Sequence, residues 1–154
     1  MENPALVKVR KIIDACVAAG VKRVVYVSHT KPSTDSDIAY IRAKALAEEY
    51  IKEKMPSYGF IRPCLLFGDT PNESIVVNNM CYLFRRTPMM MFPYQALESH
   101  FQPVHVRDLA EMAVNLAMDD GPNKNRFVDA VGPEKFKFFD FANMLKKNTN
   151  SWTY

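Results

Sequence analysis

The sequence predicts an α/β fold built on a parallel sheet. Three short runs, at residues 23–28, 58–67 and 127–131, read as strands, and the first is β-branched and apolar on both faces, which suits a parallel strand covered by helices. Segments with apolar residues at helical spacing lie between them. The order is helix, strand, helix, strand, helix, helix, strand, helix, an alternation that belongs to parallel sheets with helical crossovers.

Each element has its own warrant. Leu6, Val9, Ile12, Ile13, Cys16 and Val17 recur at helical spacing, and Gly20 stops the pattern. Residues 23–28 form the first strand. Residues 30–37 are polar, contain Pro32 and read as a loop. Residues 38–54 read as a helix with Asp37 as its N-cap. The second strand, 58–67, ends before Gly68, and Pro63 inside it implies a break in the ladder or an edge position. Residues 74–86 read as a helix, followed by a loop carrying Met89, Met90 and Met91 that reads as covering something apolar. Residues 101–106 are a short extended piece, and Asp108 caps a helix running to about Met118. A third strand at 127–131 and a last helix at 138–147 complete the chain.

At 154 residues the chain suits one domain, 1–154, with only 148–154 reading as a loose tail. The net charge is +3, and Lys and Arg are interspersed with Asp and Glu, which argues against a nucleic-acid partner. No apolar run approaches the roughly 18 residues that span a bilayer, so membrane insertion is not expected. Cys16, Cys64 and Cys81 match no metal spacing and read as reduced thiols. His29, His100 and His105 have no metal spacing either, so no metal is expected. Met-Glu-Asn-Pro at the start carries no signal core, and the expected location is cytoplasmic, with the mitochondrial matrix as the alternative.

The sharpest chemical signal is Tyr40-Ile41-Arg42-Ala43-Lys44. Residues four apart share a helix face. An ammonium beside a phenol favours the phenolate, and such a pair can move a proton to or from a hydroxyl or carbonyl. Taken alone, the spacing reads better as a solvated helix face. Its surroundings shift that weighting. Upstream, a strand ends at Ser28, whose hydroxyl could polarise the same substrate oxygen. Downstream come Ile61-Arg62-Pro63, Phe67-Gly68 and the run from Gln102 through His105 to Ala110.

These segments, with Gly20 through Ser28 and Phe127 through Pro133, resemble in order the atypical short-chain dehydrogenase/reductase superfamily. The likeness is to its NmrA-like and epimerase-like NAD(P)-binding domains, a group that includes relatives of the nucleotide-binding accessory subunit of respiratory complex I. The resemblance implies a truncated Rossmann-like three-layer sandwich with a parallel sheet lacking the first βαβ half. It implies that Ser28 positions the substrate oxygen, that Tyr40 is the general acid or base, and that Lys44 favours the phenolate and holds the nicotinamide ribose. Backbone at Pro63, Cys64, Leu65 and Leu66 would contact the nicotinamide amide, and Asn78, Asn79, Gln102 and His105 would face the substrate cleft. Blander readings stand beside these. Ser28 also reads as simply ending a strand, His105 reads slightly better as a satisfied core histidine, Asp108 as a helix cap and Arg62 as a structural ion-pair partner.

The family opens with a strand, a glycine-rich turn and a helix that holds the pyrophosphate. This sequence has glycines at 20, 59, 68, 121 and 132, none close enough together to form that turn. The expectation is therefore a remnant or fragment of an NAD(P)-dependent oxidoreductase or epimerase that does not bind NAD or NADP tightly alone. The alternatives are a non-catalytic structural subunit like the complex I accessory subunit, or an NmrA-type redox-sensing binding protein. The strand at 24–27 would lose its neighbour, which predicts a homo-oligomer or a partner chain supplying the missing half.

Overall fold

A computed structural model describes residues 3–68, 74–86, 92, 94–119, 121 and 125–148. The Met89–Met91 loop and residues 149–154 of the tail expected at 148–154 lie outside the described residues, while Asn148 ends the last helix. The chain divides into two compact units. Unit 1 comprises Met1–Pro63 and Leu109–Ala130, and unit 2 comprises Cys64–Asp108 and Val131–Tyr154.

Unit 1 begins with α1 (Pro4–Ala18). Asn3 caps it by accepting from the Ala5 N–H at 2.9 Å, and Pro4 occupies the first turn, where a missing N–H costs nothing. After the helix, Gly20 adopts φ 70°, and the N–H groups of Gly20 and Val21 donate to the carbonyls of Val17 and Cys16. This left-handed closure is the work glycine does without a Cβ penalty. Next come β1 (Val24–Val27), α2 (Ala39–Lys54) and β2 (Tyr58–Pro63).

Beyond the residues of unit 2 the chain returns. It enters first through α5 (Val106–Met118), which starts in unit 2, and then through β6 (Arg126–Ala130). The three strands form one parallel sheet in the order β1-β2-β6, with Val25 opposite Gly59 and Phe60 opposite Phe127. The expected parallel strands around Val25, Ile61 and Val128 are all present.

Side-chain alternation divides the two faces of β2. Phe60 packs with Ile13 of α1, Ile51 of α2 and Met55, which follows α2. Gly59 points the other way, where a Cβ would stand 2.5 Å from Leu116 of α5. Helices therefore cover both faces of this sheet. Arg23 reinforces the α5 side by donating to the Leu116 carbonyl at 2.9 Å and to Ser57 Oγ at 2.6 Å.

In unit 2, β3 (Leu65–Phe67) pairs in parallel with β5 (Pro103–His105). β4 (His100–Phe101) pairs antiparallel with β7 (Phe136–Lys137). Helices α3 (Ile75–Arg86), α4 (Tyr94–Leu97) and α6 (Phe138–Asn148) complete it. Met80 and Phe84 of α3 meet Phe141 and Ala142 of α6 in its core, and Phe101 stands edge-on to Phe141 at 4.9 Å. Gln102 ties this unit together: its carbonyl accepts from the Gly132 N–H and its Nε2 donates to the Gly132 carbonyl at 3.1 Å.

Several expectations need correction. The expected strand at 58–67 is two strands, because the chain leaves one ladder at Pro63 and joins another at Leu65. The residue that cannot donate marks the change of partner. Asp37 is not the cap of α2: the N-cap position is Ile38, with no side-chain cap bond. Asp108 sits in the first turn of α5, two residues inside its start, where its charge suits the helix dipole without capping. The antiparallel pair and α4 were not foreseen.

The close approach of Gly59 to Leu116 gives a test. Gly59→Val should destabilise the protein by about 1–3 kcal/mol through overpacking. Adding Leu116→Ala, which vacates the space, should recover part of the loss. Urea midpoints of the three variants check this, and an unperturbed Gly59→Val would contradict the packing described.

Candidate functional site

The site forms where β1 ends. The Ser28 N–H donates to the Ile61 carbonyl at 2.7 Å, which extends the parallel ladder one bond past Val27. Ser28 is thereby drawn inside, 3% exposed, and its Oγ is buried without a hydrogen-bond partner among the described residues. The following loop is fastened by the Thr30 hydroxyl, which donates to the Pro63 carbonyl at 2.7 Å. Its far end is closed by Arg42, whose guanidinium donates to the Ser36 carbonyl, and by Ile38, whose N–H donates to Ser36 Oγ at 3.2 Å.

On α2, Tyr40 and Lys44 share the face turned toward that strand end. The Lys44 ammonium donates to the Val27 carbonyl at 2.8 Å. It also lies over two rings, 4.8 Å from the Tyr26 centroid and 5.7 Å from that of Tyr40. Tyr40 is 55% exposed and meets His29 edge-on at 5.9 Å. A cavity of about 180 Å³ opens beside this cluster, lined by Leu6, Val9, Tyr26, Tyr40 and Lys44 among others. Tyr40 and Lys44 thus share one neighbourhood with Val27, the residue before Ser28.

The electrostatics follow from burial. Desolvation lowers the Lys44 pKa from its ordinary value. It raises that of Tyr26 to about 12, with Tyr40 and Glu48 adding to the effect. The Tyr26 phenol therefore stays protonated at neutral pH and offers Lys44 a neutral aromatic surface. His29 is pushed below 6.5, by burial first and by the Lys44 charge second.

One further pair positions α2. Glu48 is 3% exposed, and its two oxygens accept from Arg62 Nε at 3.1 Å and Nη2 at 2.7 Å. The same guanidinium lies 4.3 Å from the Phe127 ring centroid. Arg62, read from sequence as an ion-pair partner, joins α2 to β2 and β6.

The remaining sequence-predicted residues fall elsewhere. Pro63 closes β2 in unit 1, whereas Cys64, Leu65 and Leu66 open unit 2, and Leu65 joins the core there. Asn78 and Asn79 lie on α3, Asn78 half-buried and Asn79 exposed. The Gln102 amide is engaged with Gly132. His105 is half-buried, stands edge-on to Phe67 at 5.1 Å, and its Nδ1 accepts from the Arg107 N–H. Tyr26, His29, Thr30 and Glu48 are the site's unforeseen members. Among the described residues no cluster of His, Cys, Asp or Glu could hold a metal ion.

No family model matches the sequence. Over 138 residues the chain is 29% identical to the mitochondrial NADH dehydrogenase (ubiquinone) 1 alpha subcomplex subunit 9 of Mus musculus, covering 88% of this chain and 35% of that one. The corresponding protein of Dictyostelium discoideum is 25% identical over 139 residues, 90% of this chain and 37% of its own. Among solved structures, the UDP-glucose 4-epimerase of Thermotoga maritima with UDP-glucose aligns with a TM-score of 0.69 at 17% identity, over 95% of this chain and 53% of that one. The dTDP-4-dehydrorhamnose reductase of Bacillus anthracis in complex with NADP gives 0.71 at 19% identity, over 96% and 54%.

The chain has the fold of the atypical short-chain dehydrogenase/reductases. It matches the C-terminal portion of that Rossmann-like fold. The short-chain dehydrogenase/reductase fold seen here spans about half the length of those solved structures and just over a third of the curated relatives.

The cluster at the end of β1 carries a pH signature. Because the folded-state pKa of His29 lies below 6.5, the unfolded chain binds more protons just below that pH. Stability should therefore fall as the pH drops through this window and level off below the folded value. In NMR titrations Lys44→Met should raise the His29 pKa by removing a facing positive charge. An unchanged or lower value would show that Lys44 does not face His29.

Proposed function

We propose that this chain is the nicotinamide-side half of an NAD(P)-dependent oxidoreductase or epimerase domain, one that does not hold a dinucleotide tightly by itself. The observation that carries this reading is the Lys44 ammonium fixed on the Val27 carbonyl, between Tyr40 and the end of the strand that leads into the buried, unpartnered Ser28 hydroxyl. A dinucleotide bound there would supply hydride chemistry. The chain's own residues would do the rest. Ser28 would hold a substrate oxygen, Tyr40 would give or take its proton, and Lys44 would hold the nicotinamide ribose. Pro63, Cys64, Leu65 and Leu66 would offer backbone to the amide. The pyrophosphate finds no comparable provision, since no two glycines of this sequence are close enough to form the phosphate turn.

β1 supports a second component of the proposal. Among the described residues it pairs only with β2; on its other edge no strand pairs, and the Val27 carbonyl there accepts from Lys44. Val27 on it is 36% exposed. A partner chain, or a second copy, would complete the sheet along this edge. The curated relatives are mitochondrial subunits of NADH dehydrogenase, which favours the reading of a subunit in a larger assembly and a mitochondrial rather than cytoplasmic location. No helix among the described residues is long and apolar enough to cross a membrane.

Calorimetric titration with NADH and NADPH tests the proposal. Binding should be weaker than 100 μM for both. A dissociation constant in the low micromolar range needs about −8 kcal/mol, and finding it would overturn the proposal of a half-site.

A further inference from the structure

Unit 2 holds a cavity that belongs to neither Tyr40 nor Lys44. It measures about 290 Å³ and is walled by Phe67 of β3, Val77 of α3, Phe136 of β7 and Phe141 of α6. Met144 and Leu145 of α6 complete one side, and Pro103 and Pro133 another. The two prolines flank the Gln102–Gly132 clamp, and Gly132 packs so closely that a Cβ there would stand 1.8 Å from the Pro103 carbonyl oxygen. That clamp fixes the wall in place. Phe67 and Met144 remain 37% and 39% exposed, so the cavity has an apolar mouth as well as an apolar interior.

The polar inventory decides what fits. Among the described residues, Glu134 is the only ionisable or polar side chain in the lining. A sugar nucleotide brings phosphates and hydroxyls, which would be desolvated here without donors and held beside a carboxylate. Both effects oppose binding. An apolar cavity of about 150 Å³ already accepts benzene, so this space suits a longer hydrocarbon. Glu134 is exposed and makes no ion pair with a described residue, while Lys137 on the adjoining β7 is engaged with Glu98 at 3.2 Å. A carboxylate at the edge of an otherwise apolar cavity selects a positively charged head on an apolar tail.

We infer that this cavity is a binding site for a single-chain alkyl compound with a cationic head, the chain lying among Phe67, Phe136, Phe141 and Met144 and the head meeting Glu134. The site lies wholly within unit 2 and does not depend on the dinucleotide half-site proposed for unit 1.

The test titrates the full chain calorimetrically with dodecylamine, dodecanol and dodecanoate, each below its micellar concentration. Dodecylamine should bind at micromolar concentration, dodecanol more weakly, and dodecanoate at least tenfold more weakly than the amine. Glu134→Gln should remove the advantage of the amine over dodecanol. Met144→Asp, at a position exposed enough to spare the fold, should weaken the amine and dodecanol at least tenfold with an unchanged urea midpoint. Lys44→Met should leave all three unaffected, which separates this site from the unit 1 cluster. The inference is overturned if dodecylamine fails to bind, if dodecanoate binds as well as the amine, or if binding survives both Glu134→Gln and Met144→Asp unchanged.

Discussion

The architecture of unit 1 depends on one buried ion pair. Glu48 is nearly free of water, and an ionised carboxylate there is tolerable only because Arg62 meets both its oxygens. Tyr40, Lys44 and Glu48 stand four residues apart and form a single stripe along α2. Glu48 fastens one end of the stripe to β2, Lys44 fastens its middle to the end of β1, and Tyr40 is left exposed at the free end. The proton-moving candidate is thus held by two charged anchors while keeping access to solvent. Phe127 under the Arg62 guanidinium carries the restraint across to β6.

That arrangement holds the candidate cluster in place. The proposed proton-moving residues, Tyr40 and Lys44, are held by contacts made inside unit 1. A phosphate anchor requires close backbone approach at a glycine-rich turn, and that local device does not arise from these contacts. The open edge of β1 lies beside the same cluster, so a chain pairing there would bring its own residues next to Ser28 and Lys44. Unit 2 adds a binding surface of different character, apolar where the unit 1 cluster is polar.

The fold was legible wherever a run of side chains was long enough to show its period. The apolar runs at 24–27 and 58–63 and the helical spacing from Leu6 to Val17 fall in this group. The two-residue strands of the β4–β7 pair and the four-residue α4 carry too few residues to express any period. Asp37 looked like a cap because caps are recognised by residue type, but the loop closes through Ser36, Arg42 and Ile38, and the cap position passed to Ile38. That Tyr40 and Lys44 share a helix face directed at the end of the strand before Ser28 was readable from spacing and order. Tyr26, His29 and Thr30 were not, because their contacts cross from strand to helix or from loop to loop. Glu48 hid for another reason: a glutamate in a helix ordinarily reads as solvated, and only the facing Arg62 makes its burial possible.

The central claim is that the Glu48–Arg62 pair acts as a buried, coupled unit that seats α2 on the sheet. A double-mutant cycle with Glu48→Gln, Arg62→Met and the combined variant, followed by urea unfolding, tests it most directly. Each single variant strands a buried partner and should cost about 3 kcal/mol, whereas the double variant should cost much less than the sum, giving a coupling energy of about 2 kcal/mol or more. A coupling below about 0.5 kcal/mol, the range of an exposed surface pair, would contradict the account.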